Sequence, residues 1–283
     1  MKTRNAMQLK ALVNNYAVAN NLIPQIVLQN YHLQRFMERL VHSRHRRKFV
    51  IKGGLLLSAL YGLDHRTTMD IDVTVTGIAS GRESLAKAIG DICAVDMDDG
   101  IDFALVGISD IAEHNGYPGF RAELSATYGR MKTTLLLDIT TGDKITPGPV
   151  ESEMPLLFES RSLKVSSYTI ESLLAEKLHT ILSRGVLNTR PRDFYDVHLI
   201  AGDSRVALRP DVLRRAVAET FAVRQSADLI GRSDGILNDV ASSKTMQDRW
   251  ENYRKKFGYA KNIGFDEAVG AVRRLVELAS SND

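Results

Sequence analysis

Residues Phe49–Val75 read FVIKGGLLLSALYGLDHRTTMDIDVTV, and this stretch decides the fold. An apolar strand, Phe49–Ile51, runs into a Gly53-Gly54 turn. A short apolar helix follows, and a second strand carries Asp70-Ile71-Asp72. Side chains alternate along a strand, so Asp70 and Asp72 share one face and Ile71 points into the sheet core. Two carboxylates on one face, beside a glycine turn that opens a helix, suit a divalent metal holding a phosphate. Oxygen ligands select hard cations, and magnesium sites combine one or two carboxylates with substrate phosphates. Glycines let backbone N–H groups approach such phosphates at the positive end of the helix dipole. Either motif alone reads as structure: a turn, or a solvated strand edge. Arg66, Thr67 and Thr68, just before the carboxylates, move the balance to function.

Further along, Phe120–Tyr128 and Lys132–Ile139 pattern as strands joined at Gly129-Arg130. The second contains Leu135-Leu136-Leu137-Asp138-Ile139, an apolar run broken by one carboxylate. Burying it bare is costly, so it is paired or metal-bound, or the strand is already opening to solvent at Thr140-Thr141-Gly142-Asp143. The helix Tyr168–Leu182 has an apolar face of Ile170, Leu173, Leu174, Leu178 and Ile181. Lys177, seven residues beyond Ile170, falls within it. It either covers apolar surface with its stem or carries a point charge into a cleft. Arg190-Pro191-Arg192-Asp193-Phe194-Tyr195-Asp196 opens the next helix with Pro191 in its first turn and Asp193 near its N-terminus. Asp196 is four residues from Arg192 and suits a surface pair.

In order, KGGLLLSALYGLDHRTTMDIDV, LDITTGD, ESLLAEKLHTILSR and RPRDFYDV resemble the motifs of the nucleotidyltransferase superfamily, in its AbiEii/AbiGii-type toxin branch. Much of the wider superfamily has Gly-Ser where this chain has Gly53-Gly54. The resemblance implies an α/β (α+β) fold: a nucleotidyltransferase-like mixed-sheet domain over residues 1–166, then a helical C-terminal domain over 167–283 that contributes to the active-site cleft. It implies a metal set of Asp70, Asp72 and Asp138 for Mg2+ or Mn2+. Gly53, Gly54, Arg66, Thr68 and Lys177 would hold the NTP, and Asp193 would act with Lys177. Members of the branch are toxins of type IV toxin–antitoxin and abortive-infection systems, so a cognate antitoxin is implied, with RNA, foremost the 3′ end of tRNA, as acceptor. A protein or small-molecule acceptor, or a non-catalytic nucleotide-binding module, is the alternative.

Composition fits an ordinary globular protein: 283 residues, 44% hydrophobic, 25% charged, net charge +3. No apolar run reaches membrane-span length, and one cysteine, Cys93, precludes an internal disulfide, so a cytoplasmic location is expected. One cysteine and no histidine pair at ligand spacing leave few soft ligands and argue against a zinc site. Charge is uneven. Arg44-His45-Arg46-Arg47-Lys48 precedes the first core strand, and Arg249, Arg254, Lys255, Lys256 and Lys261 interleave with Trp250, Tyr253, Phe257 and Tyr259. Both patches are candidates for a phosphate backbone, although Trp250, Tyr253 and Phe257 also have the spacing of a buried helical stripe. Asp96, Asp98, Asp99 and Asp102 form an acidic stretch, which reads as a solvated face. Helices are expected near residues 7–20, 24–42, 80–95 (capped by Ser80), 210–224, 243–257 and 265–278. Pro147, Pro149 and Pro155 mark a loop, Gly116–Gly119 a punctuated stretch and Gly231–Gly235 a turn.

Overall fold

The computed structural model describes residues 5–79, 81–111 and 119–281. The proposed cap Ser80 and residues 116–118 lie outside them. The chain divides into two compact units, Met1–Gly142 with Pro149–Tyr168, and Asp143–Gly148 with Thr169–Asp283.

The first unit runs α1 (Ala6–Ala19), α2 (Pro24–His42), β1 (Phe49–Lys52), α3 (Gly53–Tyr61), β2 (Asp70–Val75), α4 (Arg82–Cys93), β3 (Ile101–Ile111), β4 (Gly119–Tyr128), β5 (Met131–Thr141), β6 (Val150–Pro155) and β7 (Ser162–Ser167). These strands form one mixed sheet in the order β3-β4-β5-β2-β1-β7-β6. β2 runs parallel to β5 and β1 to β7; the other pairings are antiparallel. The expected mixed α/β class, with a helical C-terminal region, holds. One expectation fails here: the proline-marked loop contains β6. It lies at the sheet edge, where the missing N–H of its last residue, Pro155, breaks no ladder.

Much of the core lies on one face of the sheet. Thr133, Leu135, Leu137 and Ile139 of β5 alternate inward and are buried. Ile71 and Val73 lie opposite Leu137 and Ile139. Helix α2 packs on this face, for His32 Nδ1 meets Thr133 Oγ1 at 3.0 Å. Even-numbered residues of β2 and β5 therefore face away from α2. The helix also buries charge. Arg35 pairs with Glu38 at 2.9 Å and Glu159 at 2.8 Å, and Arg39 takes Asp99 through both terminal nitrogens at 2.9 and 2.7 Å. Asp99 thus departs from the solvated acidic face. Burial opposes its ionisation, but the hydrogen bonds and charge of Arg39 prevail and hold its carboxyl below the usual range. Cys93 is a free, partly buried thiol, and burial pushes it up to about 11, which suits packing and not nucleophilic attack.

The second unit contains α5 (Ile170–Arg184), α6 (Pro191–Ala201), α7 (Pro210–Val223), α8 (Asp228–Gly231), α9 (Ser233–Ser242), α10 (Lys244–Lys256) and α11 (Phe265–Ser280). Thr169 caps α5 through Ser172 N–H, and Ser243 caps α10 through Met246 N–H. The expected turn at Gly231–Gly235 is mostly helix, broken only at Arg232. Gly235 sits in the first turn of α9, where glycine costs at most about 1 kcal/mol.

Two buried histidines tie stability to pH. Burial lowers His32 to about 4, and burial aided by the Arg224 charge lowers His179 to about 4, both from 6.5. The unfolded chain binds more protons in that window, so stability is complete above about 6.5 and erodes as pH falls toward 4. Denaturant titrations across this range should show that slope, and His32→Gln should flatten it for the sheet unit. A slope unchanged by His32→Gln would contradict the assignment.

Candidate active site

The sheet face away from α2 carries the charged side chains. Ile71 and Val73 of β2 are buried, and Asp70 and Asp72 are partly exposed. Lys52 of β1 lies opposite Asp72, Asp138 of β5 lies opposite Asp72 on its other side, and Arg121 of β4 lies opposite Asp138. Register partners project to the same face, so these four residues form one transverse row, with signs plus, minus, minus, plus. Arg121 Nε and Nη2 each donate to one oxygen of Asp138 at 2.7 Å. That hydrogen bonding, and then the charges of Asp138, Asp70 and Asp72, outweigh partial burial and raise the guanidinium's proton affinity. All three carboxylates therefore act on one guanidinium. At the far end Lys52 is buried, its ammonium 5.4 Å from the centroid of the Tyr168 ring.

The glycine turn closes on the same face. Gly53 has φ +62°, and a Cβ there would lie 2.2 Å from Asp72 Oδ2. Gly54 N–H donates to that oxygen at 3.3 Å. Asp72 therefore sits at the positive N-terminus of α3, where its charge is favoured. A Cβ on Gly54 would meet Thr68 Oγ1 at 2.9 Å and Arg66 Nη2 at 3.2 Å. Both glycines are thus required by close approach. Thr68 Oγ1 donates to Asp70 O at 3.0 Å, and buried Arg66 donates to Thr67 O. Helix α2 fixes the loop from behind: Asn30 Nδ2 donates to Thr68 O at 2.8 Å and Gln29 Nε2 to Met69 O at 2.6 Å.

Seven residues singled out by sequence thus belong to the start of α3 (Gly53, Gly54), the loop before β2 (Arg66, Thr68) and two paired strands (Asp70, Asp72, Asp138). As a three-carboxylate metal set they do not fit as they stand. Among the described residues no three ligating side chains gather, and both Asp138 oxygens accept from Arg121. Sequence reading missed Arg121 and Lys52. Alternation within Phe120–Tyr128 puts Arg121 on a polar face, but only the register sets it against Asp138.

In the helical unit, Lys177 Nζ donates to Asp193 Oδ1 at 3.1 Å and to Asp196 Oδ2 at 2.6 Å. The three side chains are 9%, 9% and 0% exposed. Asp196 is therefore a buried partner of Lys177 and not a surface one. The aromatic stripe of α10 is also interior: Trp250 and Tyr253 are buried, and Trp250 Nε1 donates to Ile263 O at 3.0 Å. Neither ring offers a base a stacking face. Lys255, Lys256 and Lys261 are exposed, as are Arg46 and Arg47, whereas Arg44 pairs with Asp91 at 2.5 Å.

The model of the family described as nucleotidyl transferase AbiEii toxin, Type IV TA system, matches residues 35–271. The chain belongs to this family. It is a nucleotidyltransferase of the type IV toxin class, which implies an NTP substrate and an antitoxin partner. JHP933 from Helicobacter pylori has a similar fold, with TM-score 0.50 and 17% identity over 90% of this chain and 91% of that one. A candidate nucleotidyltransferase from H. pylori aligns at TM-score 0.49 and 17% identity over 91% and 96%. At 17% identity the likeness to JHP933 concerns fold alone. No curated protein matches the chain. No helix among the described residues is long and apolar enough to cross a membrane.

Two substitutions test these local arrangements. Gly53→Ala should lower stability by about 1 kcal/mol or more through its backbone alone, and displace Asp72. Thermal melts and nucleotidyl transfer should both register it, and a fully active, equally stable variant would refute the close approach. Lys177→Ala strands buried carboxylates in the AbiEii helical unit and should cost about 3–5 kcal/mol in urea melts. Adding Asp196→Asn should recover part of that loss; no recovery would mean that the triad is not what holds α5 to α6.

Proposed function

We propose that this AbiEii-type chain transfers a nucleotide from an NTP to RNA, foremost the 3′ end of tRNA, and thereby blocks translation and growth in defence against phage. The reading rests on one observation above all. Asp70 and Asp72 share a strand face with Asp72 against the Gly53-Gly54 turn, in a chain of a nucleotidyltransferase family. In the reaction the acceptor hydroxyl releases its proton to solvent, its oxygen bonds to the α-phosphorus, the α–β bridging bond breaks, and pyrophosphate leaves.

Each local element has a part. The N–H groups at the start of α3 point toward the carboxylate face and offer donors to phosphate oxygens. Arg66 and Thr68 shape that turn. Asp70 and Asp72 are hard oxygen donors, and two carboxylates completed by phosphate oxygens suffice for Mg2+ or Mn2+. Such an ion, when bound, supplies Lewis acidity to the phosphates. Lys177 and Asp193 are assigned to the same reaction on motif order alone. RNA is the favoured acceptor because Arg46, Arg47, Lys255, Lys256 and Lys261 present exposed cations.

The test is incubation of the purified protein with each α-labelled NTP and total RNA. Label should enter RNA of tRNA size, and Asp72→Asn should abolish both transfer and growth inhibition with the melting temperature retained. Transfer by a folded Asp72→Asn protein would remove the site. Neutralising Arg46 and Arg47, or Lys255 and Lys256, should weaken RNA binding and flatten its salt dependence. An unchanged slope in both would favour a protein or small-molecule acceptor.

A further inference from the structure

The geometry points to Arg121 as a phosphate-binding residue of this site, with Asp138 serving as its positioning carboxylate and not as a ligand to the metal. This rests on the nucleotidyl-transfer reading and assigns a residue that the sequence motifs do not contain. Three observations support it. Arg121 grips Asp138 through two parallel hydrogen bonds of 2.7 Å, the fork geometry that fixes a guanidinium in orientation. The strand register sets Asp138 between Arg121 and Asp72, so Arg121 stands in the same row and on the same face as the carboxylate at the turn. The pair is open to solvent, with Arg121 44% and Asp138 23% exposed at the side chain.

An exposed cross-strand pair contributes little to stability, so holding the fold is a weak reason for it. Arginine has five donors, and only two of Arg121's nitrogens face Asp138, leaving its outer edge able to take phosphate oxygens. The carboxylate side of the row then divides by task. Asp70 and Asp72 stand beside the α3 N-terminus, while Asp138 holds a cation directed at the triphosphate.

Two binding measurements test the assignment without turnover. Mn2+ binding is followed by electron paramagnetic resonance with a non-hydrolysable α,β-imido NTP present, using the NTP that the wild-type protein binds most tightly. Asp72→Asn should weaken Mn2+ by about tenfold or more, as loss of a direct ligand does, whereas Asp138→Asn should change it by less than about threefold. In EDTA, Arg121→Ala should weaken binding of the same analogue by about tenfold or more, and Arg121→Lys should recover only part, since an ammonium cannot hold Asp138 in a fork. Asp138→Asn weakening Mn2+ as much as Asp72→Asn would make Asp138 a metal ligand and overturn the proposal. Unchanged analogue affinity in a folded Arg121→Ala protein would overturn it equally. Failure of the transfer reading itself looks different: the wild-type protein would then pass label from no α-labelled NTP to any acceptor, whatever its affinity for the analogues.

Discussion

The parallel pairing of β2 with β5, in the register that sets Asp72 opposite Asp138, is the constraint on which the site depends. Two carboxylates at adjacent strand positions repel, and the sheet keeps them there because each has a separate source of positive charge. Asp72 faces the N–H groups that begin α3, and Asp138 faces Arg121 across the β4 pairing. Slipping either pairing by one residue would turn these charges into the apolar layer against α2, since a strand's side chains alternate with period two. The buried Ile71, Val73, Leu137 and Ile139 therefore enforce the register that arranges the charges on the opposite face.

The glycine pair follows from the same constraint. Asp72 can approach the first turn of α3 because Gly53 has no Cβ where the carboxylate oxygen lies, and Thr68 and Arg66 can close behind because Gly54 has none either. The turn is held from the far side by Asn30 and Gln29 of α2. One helix thus supplies both the apolar floor of the sheet and the polar braces of the loop. This division explains why α2 carries polar residues among its buried ones.

Buried charge is handled by pairing in both units, each within its own. In the sheet unit, Arg35 and Arg39 of α2 are matched by Glu38, Glu159 and Asp99. In the helical unit, Lys177 lies between Asp193 and Asp196. Removing one member leaves the others desolvated and uncompensated, so such groups are sensitive to single substitutions whatever else they do.

Much of the local structure that carries the candidate residues was legible from sequence. The turn, the shared face of Asp70 and Asp72, the strand around Asp138 and the helix bearing Lys177 all follow from periodicity and from glycine and proline chemistry, which act over a few residues. The edge strand β6 was not legible, because its prolines signal a loop unless the strand is known to lie at an edge. Nor was the interior position of Trp250, whose spacing served a buried stripe and a stacking surface equally well. Asp196 likewise had a plausible surface partner in Arg192 until α6 was placed against α5. By itself the sequence determined which residues share a face and where the chain turns. The tertiary structure alone decided which faces meet: that Arg121 takes Asp138, that Lys52 aligns with Asp72, and that Lys177 is enclosed by two carboxylates. Strand register and helix packing join residues far apart in the chain, and no local periodicity encodes those partners.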